Sequence, residues 1–346
     1  MTAGERARGG PVLVTGATGF LGRAIVQALV ERGSEVHAFA REGSPRGPLD
    51  GFAITWHTGE LRDAASLERA VAATAARGRS VAAPARIVHA AALISYRSKD
   101  GEQAREINVR GTERLLEAAA KHSIGRFLQV SSVVTVGACR GSRPLDETAE
   151  FNLGDLGVDY VDTKRAAEER ALGFPGLDAV AVNPGAIFGP VERASNTVRM
   201  VRRIAQGRIP PFLPPGSVGV VGVEDAALGT LLALDRGRRG ERYLLVESSL
   251  SIRELFSRIA AQFGVRPSGR VLSGGSWKLL TRLASVWDLA FPMSLTPPQA
   301  LAMLGQDLRF DAGKARRELG WSPRPFDDVL GETIAFLRSR GELDRR

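Results

Sequence analysis

Three glycines spaced three apart, set between an apolar run and a helical pattern, constrain this chain more than any other feature. Val12-Leu13-Val14 reads as a buried strand, Thr15-Gly16-Ala17-Thr18-Gly19-Phe20-Leu21-Gly22 follows as a turn, and a helix is predicted from Phe20 to Glu31. Each glycine has its own task. Gly16 permits a tight turn, Gly19 lets backbone approach a pyrophosphate, and Gly22 allows helix and strand to pack closely. The helix N-terminus then offers unpaired N–H groups and a positive dipole to phosphate, which brings Thr18, Phe20 and Leu21 into the same anion cradle.

A glycine turn carries weight only inside a strand–turn–helix unit, and the chain repeats that unit. Further strands are expected from Val36 to Ala40, Phe52 to His57, Arg86 to Ala90, Phe127 to Val130 and Ala179 to Val182. Helices are expected from near Asp63 and from Gln103 to Lys121. Alternation at this pace requires right-handed crossovers and a parallel sheet covered on both faces. The fold class is therefore α/β, a doubly wound (Rossmann) sheet. After Pro184 the rhythm changes to prolines and helices, with one further strand at Tyr243-Leu244-Leu245-Val246. The expected division is a dinucleotide-binding domain over 1–184 and a smaller, mostly helical substrate region over 185–346, with about 222–248 returning to the first domain.

Composition removes several classes. The single Cys139 excludes an internal disulfide framework and a multi-cysteine zinc site, and His37, His57, His89 and His122 lack metalloprotease spacing, so no protein-held metal is expected. Met1 to Gly10 carries arginines with no apolar stretch behind them, and no run of about 18 apolar residues occurs. A cytoplasmic location with no membrane span is the expectation. The net charge of +9 comes from scattered arginines accompanied by only three tyrosines and four tryptophans, so a nucleic-acid partner is not expected.

Tyr160-Val161-Asp162-Thr163-Lys164 places a phenol and an ammonium four apart on one helix face. With three tyrosines and five lysines in 346 residues, the chance expectation of this spacing is about 0.04. A phenol is a poor base at neutral pH, and a neighbouring ammonium stabilises its phenolate, so the pair suits proton transfer. At the end of the second strand, an acid would pair with the ribose 2′-hydroxyl of NAD, whereas arginine accommodates a 2′-phosphate. Here Arg41 follows Ala40, with Arg46 nearby and Glu42 as a competitor, which favours NADP with NAD as the alternative.

The string TGATGFLG resembles the short-chain dehydrogenase/reductase superfamily, in particular its extended branch. That resemblance implies that Ser132, in Ser131-Ser132 with Gly137 beyond, is the catalytic hydroxyl beside Tyr160 and Lys164, with Thr135 a neighbouring alternative. It implies adenine contacts from Glu60-Leu61, a glutamate where the family usually has aspartate, and cofactor contact along Ala90-Ala91-Ala92, His89 being a packing residue. Asn108, in Asn108-Val109-Arg110-Gly111-Thr112, would shape the active site or hold a water in the proton path. Asn183-Pro184-Gly185 would lie near the nicotinamide.

The stretch Asn183 to Pro190, Gly240-Glu241-Arg242-Tyr243 and the tail Phe310 to Gly320 are similar to the dihydroflavonol 4-reductase and 3β-hydroxysteroid dehydrogenase-like group. This implies hydride transfer between NADP or NAD and a small-molecule ketone or secondary alcohol, in a homodimer formed through helices flanking the sheet. Ile209 to Pro215 and Trp277 to Phe291 are apolar enough to line a cleft for a lipophilic substrate. Residues Lys278 to Phe291 have the pattern of an amphipathic helix on a membrane surface, but ordinary core packing is the favoured explanation. A nucleotide-sugar epimerase or dehydratase with tightly held NAD is the competing enzyme, and a non-catalytic dinucleotide sensor the competing class.

Overall fold

The computed structural model describes residues 10–190, 196–265, 269–290 and 297–343, with the side chains of 196 and 286–290 left aside. The expectations for Met1 to Gly10 and for Phe291 lie outside the described residues, except at Gly10. The chain runs β1 (Val12–Thr15), α1 (Phe20–Glu31), β2 (Val36–Ala40), β3 (Ile54–Thr58), α2 (Ala64–Ser80), β4 (Arg86–His89), α3 (Gly101–Ala104), α4 (Gly111–Lys121), β5 (Arg126–Val130), α5 (Asp159–Leu172), β6 (Ala179–Pro184), β7 (Ala186–Phe188) and α6 (Asn196–Ala205). It continues with β8 (Phe212–Leu213), β9 (Ser217–Gly222), α7 (Val223–Arg236), β10 (Arg242–Leu245), β11 (Ser248–Ser251), α8 (Ile252–Ala261), β12 (Arg270–Val271), α9 (Gly274–Ala290), α10 (Pro298–Leu304) and α11 (Phe326–Ser339).

Seven strands form one sheet in the order β10-β6-β5-β4-β1-β2-β3, every neighbouring pair parallel. Strand alternation explains why their sequences read as continuous apolar runs. Val12 and Val14 enter the core shared with α1 and α7, whereas Leu13 between them enters the core of α2 and α4. Ile87 and Val88, like Phe127 and Leu128, divide between the same two cores. The order reverses between β1 and β4, and in open α/β sheets it is the crevice outside the carboxyl ends of the strands at such a switch point that takes ligands.

Local signals set the boundaries that matter for the site. Asp63 caps α2 by accepting a bond from the Ala65 N–H at 3.0 Å. Gly33, at φ +80°, ends α1 in the left-handed region that favours glycine. The helical run joining α3 and α4 contains a π-helical turn over Arg105–Arg110, a local widening that carries Asn108.

Beyond Pro184, β7, β9 and β11 form a three-stranded sheet, and β8 pairs with β12. A third core lies here, where Phe188 meets Phe326 edge-on at 4.9 Å between centroids. Within this half, α7 and β10 belong to the large sheet, because β10 pairs with β6. Strands β8 and β12 have two residues each, too short for any periodicity in the sequence to reveal. Among the described residues, no helix is long and apolar enough to cross a membrane, and no group of three His, Cys, Asp or Glu side chains could hold a metal ion.

Candidate active site

The glycine turn is built so tightly that side chains are excluded. Gly16 has φ +70°, and a Cβ there would lie 2.7 Å from the Ala91 nitrogen; one on Gly22 would lie 2.0 Å from the Gly16 carbonyl oxygen. The Gly19 N–H closes the turn on the Gly16 carbonyl at 2.9 Å. At the start of α1 no side chain caps the exposed N–H groups, and its first turn carries no acid. A diphosphate therefore fits these residues: backbone donors converge, and no carboxylate competes for them. Gly19 is exposed at the mouth and Thr18 half-buried beside it. Leu21 is buried and Phe20 half-buried against the cores, which leaves only their backbone groups turned to the glycine turn.

Behind the turn a chain of hydrogen bonds fixes the switch point. The Ala91 N–H donates to Thr15 Oγ1 at 3.3 Å, and Thr15 Oγ1 lies 2.6 Å from His89 Nδ1. His89 Nε2 lies 3.0 Å from Thr112 Oγ1, which donates to the Asn108 carbonyl at 2.6 Å. Since Thr112 spends its proton on that carbonyl, His89 must donate from Nε2 and accept at Nδ1. Burial first, and the Lys164 charge second, hold His89 neutral, pushed down to about 3. It is a packing and tautomer-locked residue. Ala90, Ala91 and Ala92 lie half-buried along the crevice floor, with the Ala90 N–H bonded to the Thr15 carbonyl at 3.2 Å.

Ser132, Tyr160 and Lys164 come together from two elements. Ser132 follows β5 in extended backbone, and Tyr160 and Lys164 share the buried face of α5. Burial pushes the Tyr160 phenol up, partly offset by its hydrogen bond with Ser132. The Lys164 ammonium donates to the Val130 carbonyl at 2.7 Å; burial pulls it down to about 8, and Glu168 pulls in the opposite direction. The sequence reading has the ammonium drawing the phenol down. In this structure burial dominates instead, and the phenol is held protonated at neutral pH. The Tyr96 ring meets Tyr160 edge-on at 5.5 Å, and burial raises its own phenol too.

The remaining candidates divide. Asn108 is buried with its amide fully committed: Oδ1 accepts from the Leu93 N–H at 2.7 Å, and Nδ2 donates to the Leu93 carbonyl at 3.0 Å and to Thr163 Oγ1 at 3.2 Å. It pins the crevice wall to α5. Asn183 turns its amide behind Ser132, donating to the Ser132 carbonyl at 3.2 Å, to Thr135 Oγ1 at 2.9 Å and to Glu168 Oε2 at 2.6 Å. Pro184 ends β6, and Gly185 lies where a Cβ would come within 2.4 Å of the Gly219 carbonyl oxygen. Leu61 is buried in the core beneath Gly111, whereas the Glu60 carboxylate accepts from Arg62 at 3.0 Å. That pair lines a hollow with Glu42, Thr58, Gly59 and Asp63, near the ends of β2 and β3. Arg41 is exposed just beyond β2, and Arg46 stacks on Trp56 at 4.4 Å. Glu168, Arg242 and Tyr96 escape the sequence reading; the available signal for Glu168 was its place four residues after Lys164 on the same face.

The sequence profile of the NAD dependent epimerase/dehydratase family matches residues 12–245. The chain belongs to that family. Sterol demethylase protein B of Methylococcus capsulatus is 31% identical over 96% of this chain and 99% of its own length. A 4-hydroxy-2-methyl-3-oxo-4-farnesyl-3,4-dihydroquinoline-1-oxide ketoreductase of Stigmatella aurantiaca is 30% identical over 90% of this chain and 91% of its own. Among solved structures, a nucleoside-diphosphate-sugar epimerase from Pseudomonas aeruginosa superposes with a TM-score of 0.77 at 26% identity, covering 97% of this chain and 99% of that one. The NAD dependent epimerase/dehydratase family is the extended short-chain dehydrogenase/reductase architecture expected from TGATGFLG. Membership makes the chain an oxidoreductase enzyme that works with a nicotinamide cofactor.

Proposed function

We propose that the chain is an NADP-dependent ketoreductase, interconverting a ketone and a secondary alcohol on an apolar small molecule. The observation that carries this reading is the placement of Tyr160: a buried phenol beside Ser132, one helical turn from Lys164 on the same buried face of α5, with burial pushing its pKa up. A protonated phenol is the form that can give a proton to a carbonyl oxygen as it is reduced. The bound nicotinamide supplies the hydride. Ser132 donates a hydrogen bond to the substrate oxygen, Tyr160 passes its proton to that oxygen as negative charge develops, and Lys164 stabilises the phenolate left behind. The Lys164 ammonium is fixed on the Val130 carbonyl, one helical turn along α5 from Tyr160.

The apolar substrate is supported by the Tyr96 ring against Tyr160 and by exposed apolar side chains in the C-terminal half, Phe212 on β8 and Leu279 and Leu283 on α9. The sterol and farnesyl compounds in the relatives' names point the same way. NADP is supported by Arg41 in place of an acid beyond β2. The test is a screen of lipophilic ketones read by loss of NADPH absorbance, repeated with Tyr160→Phe. We expect turnover in the native protein and a loss of about 100-fold or more in kcat in the variant, with NADPH affinity retained. Unchanged turnover in Tyr160→Phe refutes the proton donor. Protein that purifies with bound NAD, and acts on a nucleotide sugar with no net absorbance change, is an epimerase instead.

A further inference from the structure

Glu168 is a fully buried carboxylate with no part in the proposed reaction, yet it sits within the site's framework. Its residue has 0% exposure, and it follows Lys164 and Tyr160 at successive four-residue steps along α5, on one stripe. Oε2 accepts from Thr135 Oγ1 at 2.7 Å and from Asn183 Nδ2 at 2.6 Å; Oε1 lies 3.2 Å from the Arg242 guanidinium on β10. Thr135 Oγ1 also contacts the Ser132 carbonyl at 2.8 Å, and Asn183 Nδ2 reaches the same carbonyl at 3.2 Å. The single Thr135 hydroxyl proton can serve only one of these oxygens at a time, so the three protons of Thr135 and Asn183 are shared between the Glu168 carboxylate and the Ser132 carbonyl.

We propose, on the reading of Ser132, Tyr160 and Lys164 given above, that Glu168 is a positioning residue with two tasks: it clamps the Ser132 backbone through Thr135 and Asn183, and it supplies the counter-charge beside which Lys164 stays an ammonium. A buried amine tends to shed its proton unless an anion stands nearby. The titratable and charged groups around Lys164 are Tyr160 and Glu168 on its own helix, neutral His89 on β4, and Arg242 on β10 beyond Glu168. Of these, Glu168 is the one that favours the charged lysine. A purely structural alternative exists, since a buried Glu168–Arg242 pair would by itself fix α5 against β10.

The two are separated by a titration that needs no substrate or cofactor. The cofactor-free protein is labelled with carbon-13 at the lysine ε-carbons; the chain has five lysines, so Lys164 is assigned by the signal lost in Lys164→Arg. Its midpoint in the native protein is expected at about 8. Glu168→Gln keeps the volume and one acceptor oxygen while removing the charge. The midpoint should fall by about one pH unit or more, and the basic limb of kcat/KM should move with it, alongside a loss of about tenfold or more in kcat. A midpoint that stays in place in Glu168→Gln, or wild-type kcat in that variant, overturns the proposal. Thr135→Val tests the clamp with the charge kept: kcat should fall about tenfold while the lysine midpoint holds, and wild-type kcat overturns the clamp. Should Glu168→Gln fail to show a cooperative thermal transition, the Thr135→Val result decides. Because the titration is read without turnover, it stands apart from the Tyr160→Phe test of the reaction.

Discussion

Replacing Lys164 with methionine should change how stability depends on pH, and the amount follows from the site. The ammonium is buried to 3% exposure and titrates at about 8, against the ordinary 10.5 of an unfolded chain. Below the lower value the lysine is charged in both states, and the native protein carries the full cost of burying that charge. Above the upper value it is neutral in both, and the cost is gone. Between them the unfolded chain binds more protons, so stability rises with pH. From about pH 7 to about pH 9.5 the rise from this one group is about 2 kcal/mol. Lys164→Met lacks it. Methionine also loses the bond to the Val130 carbonyl, but that loss does not vary with pH. Burial raises Tyr96 and Tyr160, so their ionisation in the unfolded chain erodes stability at still higher pH, equally in both proteins. Urea unfolding of the cofactor-free proteins at the two pH values measures the difference directly. The native protein should gain about 2 kcal/mol over Lys164→Met on going to the higher pH. Parallel pH dependence in the two proteins would show that Lys164 is not a desolvated cation, and the electrostatic account of the site would fall with it.

Two other substitutions address the cofactor end. Gly22→Ala places a methyl 2.0 Å from the Gly16 carbonyl oxygen, so the turn must shift; we expect a stability loss of about 1–3 kcal/mol and nucleotide affinity weakened by about tenfold or more, read by calorimetric titration. Native affinity in that variant would mean that the turn does not hold the nucleotide. Arg41→Ala removes the cation beyond β2, and the ratio of kcat/KM for NADPH over NADH should drop by about 10- to 100-fold, the worth of a charge-assisted hydrogen bond. An unchanged ratio assigns the preference elsewhere.

Where one local pattern decides an element, the sequence was sufficient. Helix α1 runs from Phe20 to Glu31 as its glycine turn and apolar spacing require, and β2 from Val36 to Ala40 as its apolar run requires. The Tyr160–Lys164 spacing, with so few tyrosines and lysines to produce it by chance, located the buried face of α5. Contacts formed by residues distant along the chain were hidden. Asn183 could be placed at the end of a strand, but not turned toward Glu168, because that orientation depends on Thr135 and on Arg242 arriving from another strand. The direction of the Tyr160 shift was likewise out of reach: the neighbouring lysine is visible in sequence, whereas the desolvation that raises the phenol comes from tertiary packing.

Helix α5 receives both of the site's hydrogen-bond networks. From the glycine-turn side, Thr15, His89, Thr112 and Asn108 form a continuous series that reaches Thr163 through the Asn108 amide. From the Ser132 side, Thr135, Asn183 and Glu168 form a second series, Glu168 following Lys164 by one helical turn on α5. Thr163, Lys164 and Glu168 thus tie one helix to the nucleotide turn and to the Ser132 strand end together. Tyr160, with few polar contacts of its own, takes its position from that helix. A phenol that must give up and regain a proton cannot be held by strong fixed bonds to its oxygen, so its placement is carried by neighbours whose protonation does not change during the reaction. Neutral His89 meets that requirement, which is why this buried polar group is compatible with a reactive site rather than a competitor for its proton.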